Sequence, residues 1–194
     1  KENVLIDRHV FPTDGTVAIS GLAFTKDGSK VAYGLSSGGS DWVEWRVRDV
    51  ATGADLPDVI KWSKFSGASW VPDGSGFFYG RYAEPKAGDE LQGVNQNQKV
   101  YFHRLGTSQT EDTLVYERPD EPDWMFNPDV TEDGRYLLIY QFEGTEPKNR
   151  IFVRDLTQPG SPFRPLVDTF DAQYGVSGND ASVFYVRTNN GAPP

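Results

Sequence analysis

The sequence predicts an all-β fold, and three observations carry that expectation. Of 194 residues, 20 are Gly and 13 are Pro, and aromatic residues make up 13% of the chain. Such a composition suits many short strands joined by tight turns. No long window free of Gly and Pro places apolar residues at i, i+3, i+4 and i+7, the pattern of an amphipathic helix. Finally, one short pattern recurs along the chain, and such repeats identify whole architectures.

The repeat is read from four segments, Gly21–Leu35, Ala68–Arg81, Pro128–Gln141 and Gln173–Arg187. Each has a small or aromatic start, an Asp-Gly-type turn, and an apolar strand ending near Tyr. The turns are Asp27-Gly28, Asp73-Gly74, Asp133-Gly134 and the degenerate Asn179-Asp180. Asp-Gly tolerates the positive φ that tight hairpins need, so each turn predicts an antiparallel pair. A third strand follows each of the first three hairpins, at Trp42–Val50, Lys99–Gly106 and Arg150–Thr157, and each largely alternates apolar with polar residues. A short fourth strand is expected around Pro57–Ile60, Thr113–Tyr116 and Pro165–Val167.

With turns at positions 27, 73, 133 and 179, the intervals are 46, 60 and 46 residues. Four strands in roughly 45 residues is the period of a β-propeller blade. The longer interval holds the polar insert Glu84–Gln98, expected to be an exposed loop. The whole chain, 1–194, therefore reads as a propeller segment with four-stranded units at 19–62, 63–118 and 124–168. A partial unit covers 170–194, and residues 1–18 supply a leading strand near Val4–Val10 from a preceding blade. The expected architecture is a partial β-propeller of three to four antiparallel blades. Closed rings need at least ~4 blades. An open arc leaves two sheet faces uncovered, so self-association of the arc is an expected hazard.

Charge and composition exclude several functions. Nineteen Lys and Arg against 28 Asp and Glu give a formal net charge of −9. No basic stripe offers itself to a nucleic-acid backbone. The longest run of large apolar residues, Tyr136–Tyr140, falls far short of the ~20 residues a spanning helix needs. Neither nucleic acid nor membrane is an expected partner. The chain has no Cys, which removes disulfides, thiolate metal sites and a cysteine nucleophile. No secretory signal opens the sequence.

Chemistry-bearing motifs are few. Gly34-Leu35-Ser36-Ser37-Gly38-Gly39 matches the G-x-S-x-G nucleophile elbow, which works only where a strand turns sharply into a helix. Here an apolar strand leads into another strand, so a glycine-rich connection is expected. Only His9 and His103 are present to serve as a base, and His103 sits on a strand where a structural role is expected. Two histidines without cysteines make no zinc site. The carboxylate pairs Glu111-Asp112, Asp120-Glu121 and Glu132-Asp133 lie in turn-like polar contexts and are expected to be solvated. No cofactor, metal or catalytic residue is expected in this chain.

The segments Asp14–Ile19, Ala23-Phe24, Ala32–Glu44, Leu56–Lys61, Lys64-Phe65-Ser66, Gln98–Ser108 and Gln109–Thr113 together carry a specific resemblance. It continues through Pro119–Met125, Glu132–Ile139 and Glu143–Arg150. The chain resembles the propeller segment of the prolyl oligopeptidases (prolyl endopeptidases), serine peptidases whose α/β-hydrolase domain is capped by a seven-bladed propeller. The resemblance implies a non-catalytic part that gates and lines the substrate cavity of an enzyme cleaving short peptides after proline. The expected partners are then that hydrolase domain and short proline-containing peptides, in the cytoplasm, or in the periplasm if the parent is exported. The catalytic Ser, Asp and His would lie on the partner domain, leaving this chain inactive alone. By the same resemblance, Phe65 and Met125 match cavity-lining positions. Thr145 falls where some relatives place a cysteine, and Trp42 lies in a matching Ser40-Asp41-Trp42 motif. Each has a structural alternative: inter-blade packing for Phe65, Met125 and Trp42, and a turn hydroxyl for Thr145. Met125 is the only methionine and adjoins Trp124, a pairing that adapts to varied apolar side chains. A stand-alone peptide-binding or protein-binding propeller is the other function the fold permits.

Overall fold

A computed structural model describes residues 5–6, 17–86, 88 and 94–191. The leading strand expected near Val4–Val10, apart from Leu5 and Ile6, lies outside the described residues, as does His9. Thirteen antiparallel strands are present among the described residues: β1 (Val17–Phe24), β2 (Lys30–Ser37), β3 (Val43–Asp49), β4 (Asp55–Trp70), β5 (Gly76–Arg81), β6 (Lys99–Arg104) and β7 (Thr113–Tyr116) in the first half. They are followed by β8 (Trp124–Val130), β9 (Tyr136–Glu143), β10 (Arg150–Asp155), β11 (Arg164–Val167), β12 (Tyr174–Asp180) and β13 (Val183–Thr188). The helical content among the described residues is one 3₁₀ turn, Gln109–Glu111, closed by a capping box from Ser108.

Strands pair in chain order. β1 to β7 form one continuous ladder, β8 to β11 a second sheet, and β12 with β13 a hairpin. The continuity of the first ladder comes from β4. Its first half pairs with β3, its second half with β5, and Ser63 is partnered by both Val43 and Arg81. A separate short strand was expected at Pro57–Ile60; instead the outer strand of one blade runs without a break into the inner strand of the next. No Pro falls between Asp58 and Val71, whereas Pro119 and Pro122 interrupt the following crossing. The bend in β4 is absorbed by Trp62 and Phe65, both in left-handed backbone with φ of 64° and 55°. The Ser63 hydroxyl, fully buried between them, accepts from Trp45 Nε1 at 3.1 Å and donates to the Gly80 carbonyl at 2.8 Å.

The Asp-Gly turns share one chemistry. The Gly28, Gly74 and Gly134 amides each donate back three residues, and these glycines alone take the positive φ, at 70°, 64° and 73°. Asp keeps ordinary backbone and receives the local donors instead. Asp27 Oδ1 accepts from the Ser29 amide, the Thr25 hydroxyl and the Ser29 hydroxyl at 2.9, 2.7 and 2.8 Å. Those bonds hold its carboxyl down at about 2. Asp73 keeps the Ser75 amide and hydroxyl, and Asp133 keeps the Thr131 hydroxyl with the Arg135 amide.

Side chains alternate between the two faces of each strand, and the inner strands, buried on both faces, so build three inter-blade cores. In β5, Phe77 and Tyr79 face a cluster with Trp45, Val47, Ile60 and Trp70, while Phe78 faces the next, with Val100 and Phe126. In β9, Leu137 and Ile139 join that second cluster, and Tyr136 and Leu138 a third with Ile151 and Val153. A strand buried on both faces reads as an unbroken apolar run, which is why Tyr136–Tyr140 is the longest in the sequence. Polar latches fix each blade to its neighbour. Trp70 Nε1 donates to the Ala23 carbonyl at 2.8 Å, the Val130 amide to Ser69 Oγ at 2.8 Å, and the Gly67 amide to Asn127 Oδ1 at 2.7 Å. Asn149 brackets Tyr174, accepting from its amide at 2.7 Å and donating to its carbonyl at 3.0 Å. Leu22 and Phe24 of β1 and Val183 and Tyr185 of β13 remain exposed.

Candidate functional site

The register puts the β2–β3, β5–β6 and β9–β10 connections and the β4 bend at one end of the blades. Ser37, Val43, Ser63, Arg81, Lys99, Trp124, Glu143 and Arg150 lie at that end of their strands, opposite the Asp-Gly turns. There a cavity of about 630 Å³ is lined by Phe65, Asn95, Asp123, Met125, Phe142, Gly144, Thr145 and Glu146. Three of the four residues singled out from the sequence, Phe65, Met125 and Thr145, therefore share one wall. Met125 sits directly opposite Phe142 across the β8–β9 pair, so the two side chains leave the sheet on the same face. Thr145 follows Gly144, whose φ of 54° turns the chain out of β9.

Phe65 stands differently from the rest of the aromatic complement. It is 48% exposed, whereas every other described aromatic residue except Phe24 and Tyr185 is buried or half-buried. Its backbone is left-handed, a conformation that costs a non-glycine residue roughly 1 kcal/mol or more. Exposed and strained aromatic residues cluster at ligand-contacting positions.

Trp42 does not line this cavity. Its ring packs edge-on against Trp62 and Tyr82, at 5.8 and 6.1 Å between centroids. It is joined to the cavity wall through Lys64, whose ammonium lies 4.9 Å from the Trp42 ring and 5.2 Å from that of Phe65. Lys64 is further held by Asp41 at 3.8 Å. Beneath the wall, fully buried Gln98 donates to the Lys64 carbonyl at 2.6 Å and accepts from the Phe126 amide. That single side chain ties the strained segment of β4 to β8.

The remaining motifs are structural. Ser36 and Ser37 end β2, and Gly38 and Gly39, at φ 64° and 69°, turn the chain directly into β3 with no helix. His103 is completely buried between two carboxylates: Nδ1 lies 2.7 Å from Asp112 and Nε2 2.9 Å from Asp58. Burial pushes the imidazole pKa down, but the hydrogen bonds that Asp112 and Asp58 accept from it outweigh this and hold it above the ordinary 6.5. The Tyr79 hydroxyl donates to the other oxygen of Asp112 at 2.6 Å. Asp112 was expected to be solvated; its side chain is instead fully buried, because the 3₁₀ turn folds it back onto His103. Asp120 and Glu132 do sit in exposed turns, paired with Arg118 and Lys26.

Phe142, Asn95, Asp123 and Glu146 line the cavity without having been singled out in the sequence. Counting outward from the Asp133-Gly134 turn pairs 125 with 142, so Phe142 was recoverable from hairpin register. Asn95 belongs to the insert after β5, which carries no local pattern to place it.

Comparison with known proteins bears on this geometry. The sequence model described as “Prolyl oligopeptidase, N-terminal beta-propeller domain” matches residues 1–194. The chain is 36% identical to Prolyl oligopeptidase A of Amanita bisporigera over 208 residues, covering 96% of this chain and 27% of that protein. It is also 36% identical to a prolyl endopeptidase of Elizabethkingia meningoseptica over 193 residues, covering 100% of this chain and 27% of the other. A solved structure from a study of two prolyl endopeptidases superposes with a TM-score of 0.86 at 33% identity, over 98% of this chain and 26% of that one. Prolyl oligopeptidase B of Galerina marginata, bound to a 35-residue hydrolysis and macrocyclization substrate, gives 0.85 at 32% identity over 96% of this chain and 28% of its own. The chain thus spans about a quarter of the length of the proteins it matches. Repeat, register and likeness agree: the chain belongs to the prolyl oligopeptidase family and corresponds to its N-terminal β-propeller domain.

Proposed function

We propose that this chain is the non-catalytic propeller of a serine endopeptidase that cleaves short peptides after proline, and that it lines and gates the substrate cavity. The observation that carries the reading is the 630 Å³ cavity in which Phe65, Met125 and Thr145 meet at one end of the blades. Phe65, Met125 and Phe142 supply apolar, deformable contact surface for a peptide side chain. Thr145 and Asn95 supply polar contacts that orient the peptide backbone. Bond cleavage belongs to the Ser, Asp and His of a separate α/β-hydrolase domain, and the propeller's task is to admit, hold and shield the peptide from water. The bent β4, with Phe65 displayed on strained backbone and Lys64 clamped beneath Trp42, makes a rigid sill for that opening.

The test is kinetic. The chain is assayed for hydrolysis of a proline-containing octapeptide alone and after fusion to a prolyl oligopeptidase catalytic domain. Activity is expected only in the fusion. There Met125→Ala should lower kcat/KM about ten-fold, as loss of one buried thioether contact implies, with the melting temperature unchanged. A variant that melts earlier with unaltered kinetics would assign Met125 to packing and sink the reading.

A further inference from the structure

The cavity has two carboxylates in its wall, Asp123 and Glu146, and no Lys, Arg or His among its lining residues. Asp123 Oδ1 accepts from the neutral amide of Gln96 at 2.9 Å. Among the described residues no cationic side chain lies within ion-pairing distance of Asp123. Glu146 meets Lys148 only at 3.8 Å, with both side chains largely in water, a contact of little energetic weight. The nearby Lys64 is already matched by Asp41 and by the Trp42 and Phe65 rings. The apolar part of the wall is two aromatic rings and a thioether. Ring faces attract cations, and an alkyl stem packs along rings and sulfur alike.

We infer that this cavity selects a positively charged group on an alkyl stem, a Lys or Arg side chain of the bound peptide, with Asp123 and Glu146 as the specificity-determining residues. The inference rests on the peptide-binding reading above and narrows it to a substrate class. Aromatic rings and methionine alone would accept any apolar side chain. Two carboxylates at the rim, only one of them weakly paired, favour a cationic occupant over a purely apolar one by direct attraction and repel an acidic one. The chain's net charge of −9 favours encounter with cationic peptides as well.

The experiment measures binding to the full 194-residue chain by titration calorimetry. The probes are acetylated, amidated hexapeptides Ala-Ala-Ala-Ala-Pro-Ala in which each residue before proline is replaced in turn by Lys, norleucine or Glu. Norleucine keeps the stem of lysine and removes the ammonium. At 20 mM salt, Lys at one position should bind roughly ten-fold tighter than norleucine, the combined effect of a ring contact and a weak ion pair. Glu at that position should bind more weakly than either. The advantage should shrink several-fold at 300 mM salt. In Asp123→Asn/Glu146→Gln it should fall to roughly two- to three-fold, the share of the ring contact that remains, while norleucine affinity stays within about two-fold of the parent. Equal binding of Lys and norleucine, or an advantage that stays near its parent size in the double substitution, overturns the inference. If the norleucine peptide binds and Met125→Ala weakens it while Lys gains nothing, charge selection fails and the peptide cavity stands. If no peptide binds to parent or variant, the inference falls, and the peptide-cavity reading is decided by the Met125→Ala kinetics of the fusion.

Discussion

Replacing His103 by Leu tests the energetic reading of the inter-blade core most directly. The imidazole is wholly buried and joins Asp58 of β4 to Asp112 after the 3₁₀ turn, so one side chain ties the first blade to the second. Without it, Asp112 keeps the Tyr79 hydroxyl and Asp58 keeps the Gly106 amide, but both carboxylates lose their cation in a site water does not reach. Removing one partner from a buried ion set costs about 3–5 kcal/mol. For a chain of this size each kcal/mol shifts Tm by roughly 2–4 °C, so a fall of about 6–20 °C is expected. The pH dependence adds a second readout. His103 binds its proton more tightly folded than unfolded, so its stabilisation is complete below the unfolded value of 6.5 and is lost as pH rises through the folded value. Urea unfolding followed by tryptophan fluorescence at pH 5.5, 7 and 9 should therefore show the gap between parent and variant narrowing toward alkaline pH. A gap below about 1 kcal/mol at pH 5.5, or one that widens with pH, refutes the reasoning.

Three further outcomes follow from geometry already described. Phe65→Gly removes a left-handed non-glycine residue whose side chain is half exposed. Stability should hold or rise by up to about 1 kcal/mol, while titration calorimetry shows weaker peptide binding. Gly134→Ala should cost at least about twice as much as Gly28→Ala in urea midpoints; both need positive φ, but only at Gly134 does an added Cβ strike a neighbour, Pro72 Cγ at 1.9 Å. Asn149→Ala removes both bonds to Tyr174 at a buried site and should cost about 1–3 kcal/mol. Amide exchange should quicken through β12 and β13 first, while β5 keeps its protection.

Much of this fold was legible in the sequence because its signals are local. The Asp-Gly turns set hairpin register, and alternation marked β3, β6 and β10 to within a residue or two. The hidden parts depend on what happens between blades. Trp62 and Phe65 are good strand formers, and nothing in their side chains announces a left-handed backbone; the bend is imposed by the need of β4 to serve two sheets. Asp112 read as a solvated turn residue because its burial comes from His103, nine positions away, which the 3₁₀ turn brings back beside it. In the cavity, Phe65, Met125 and Thr145 were singled out through family resemblance, whereas Asp123 and Asn95 reach it by the path of irregular segments that local pattern does not trace.

The uninterrupted β4 has a consequence for how such a molecule can be divided. The boundary between the first two blades falls inside a hydrogen-bonded strand, at Ser63, so parting them there means tearing a ladder rather than opening a joint. The connections from β2 to β3 and from β5 to β6 fall in the middle of these two blades. A piece that could be excised, duplicated or exchanged intact would run from the centre of one blade to the centre of the next. At this boundary the natural cut in the chain and the seam of packing are out of phase by half a blade, whereas at the next crossing, between β7 and β8, the two coincide.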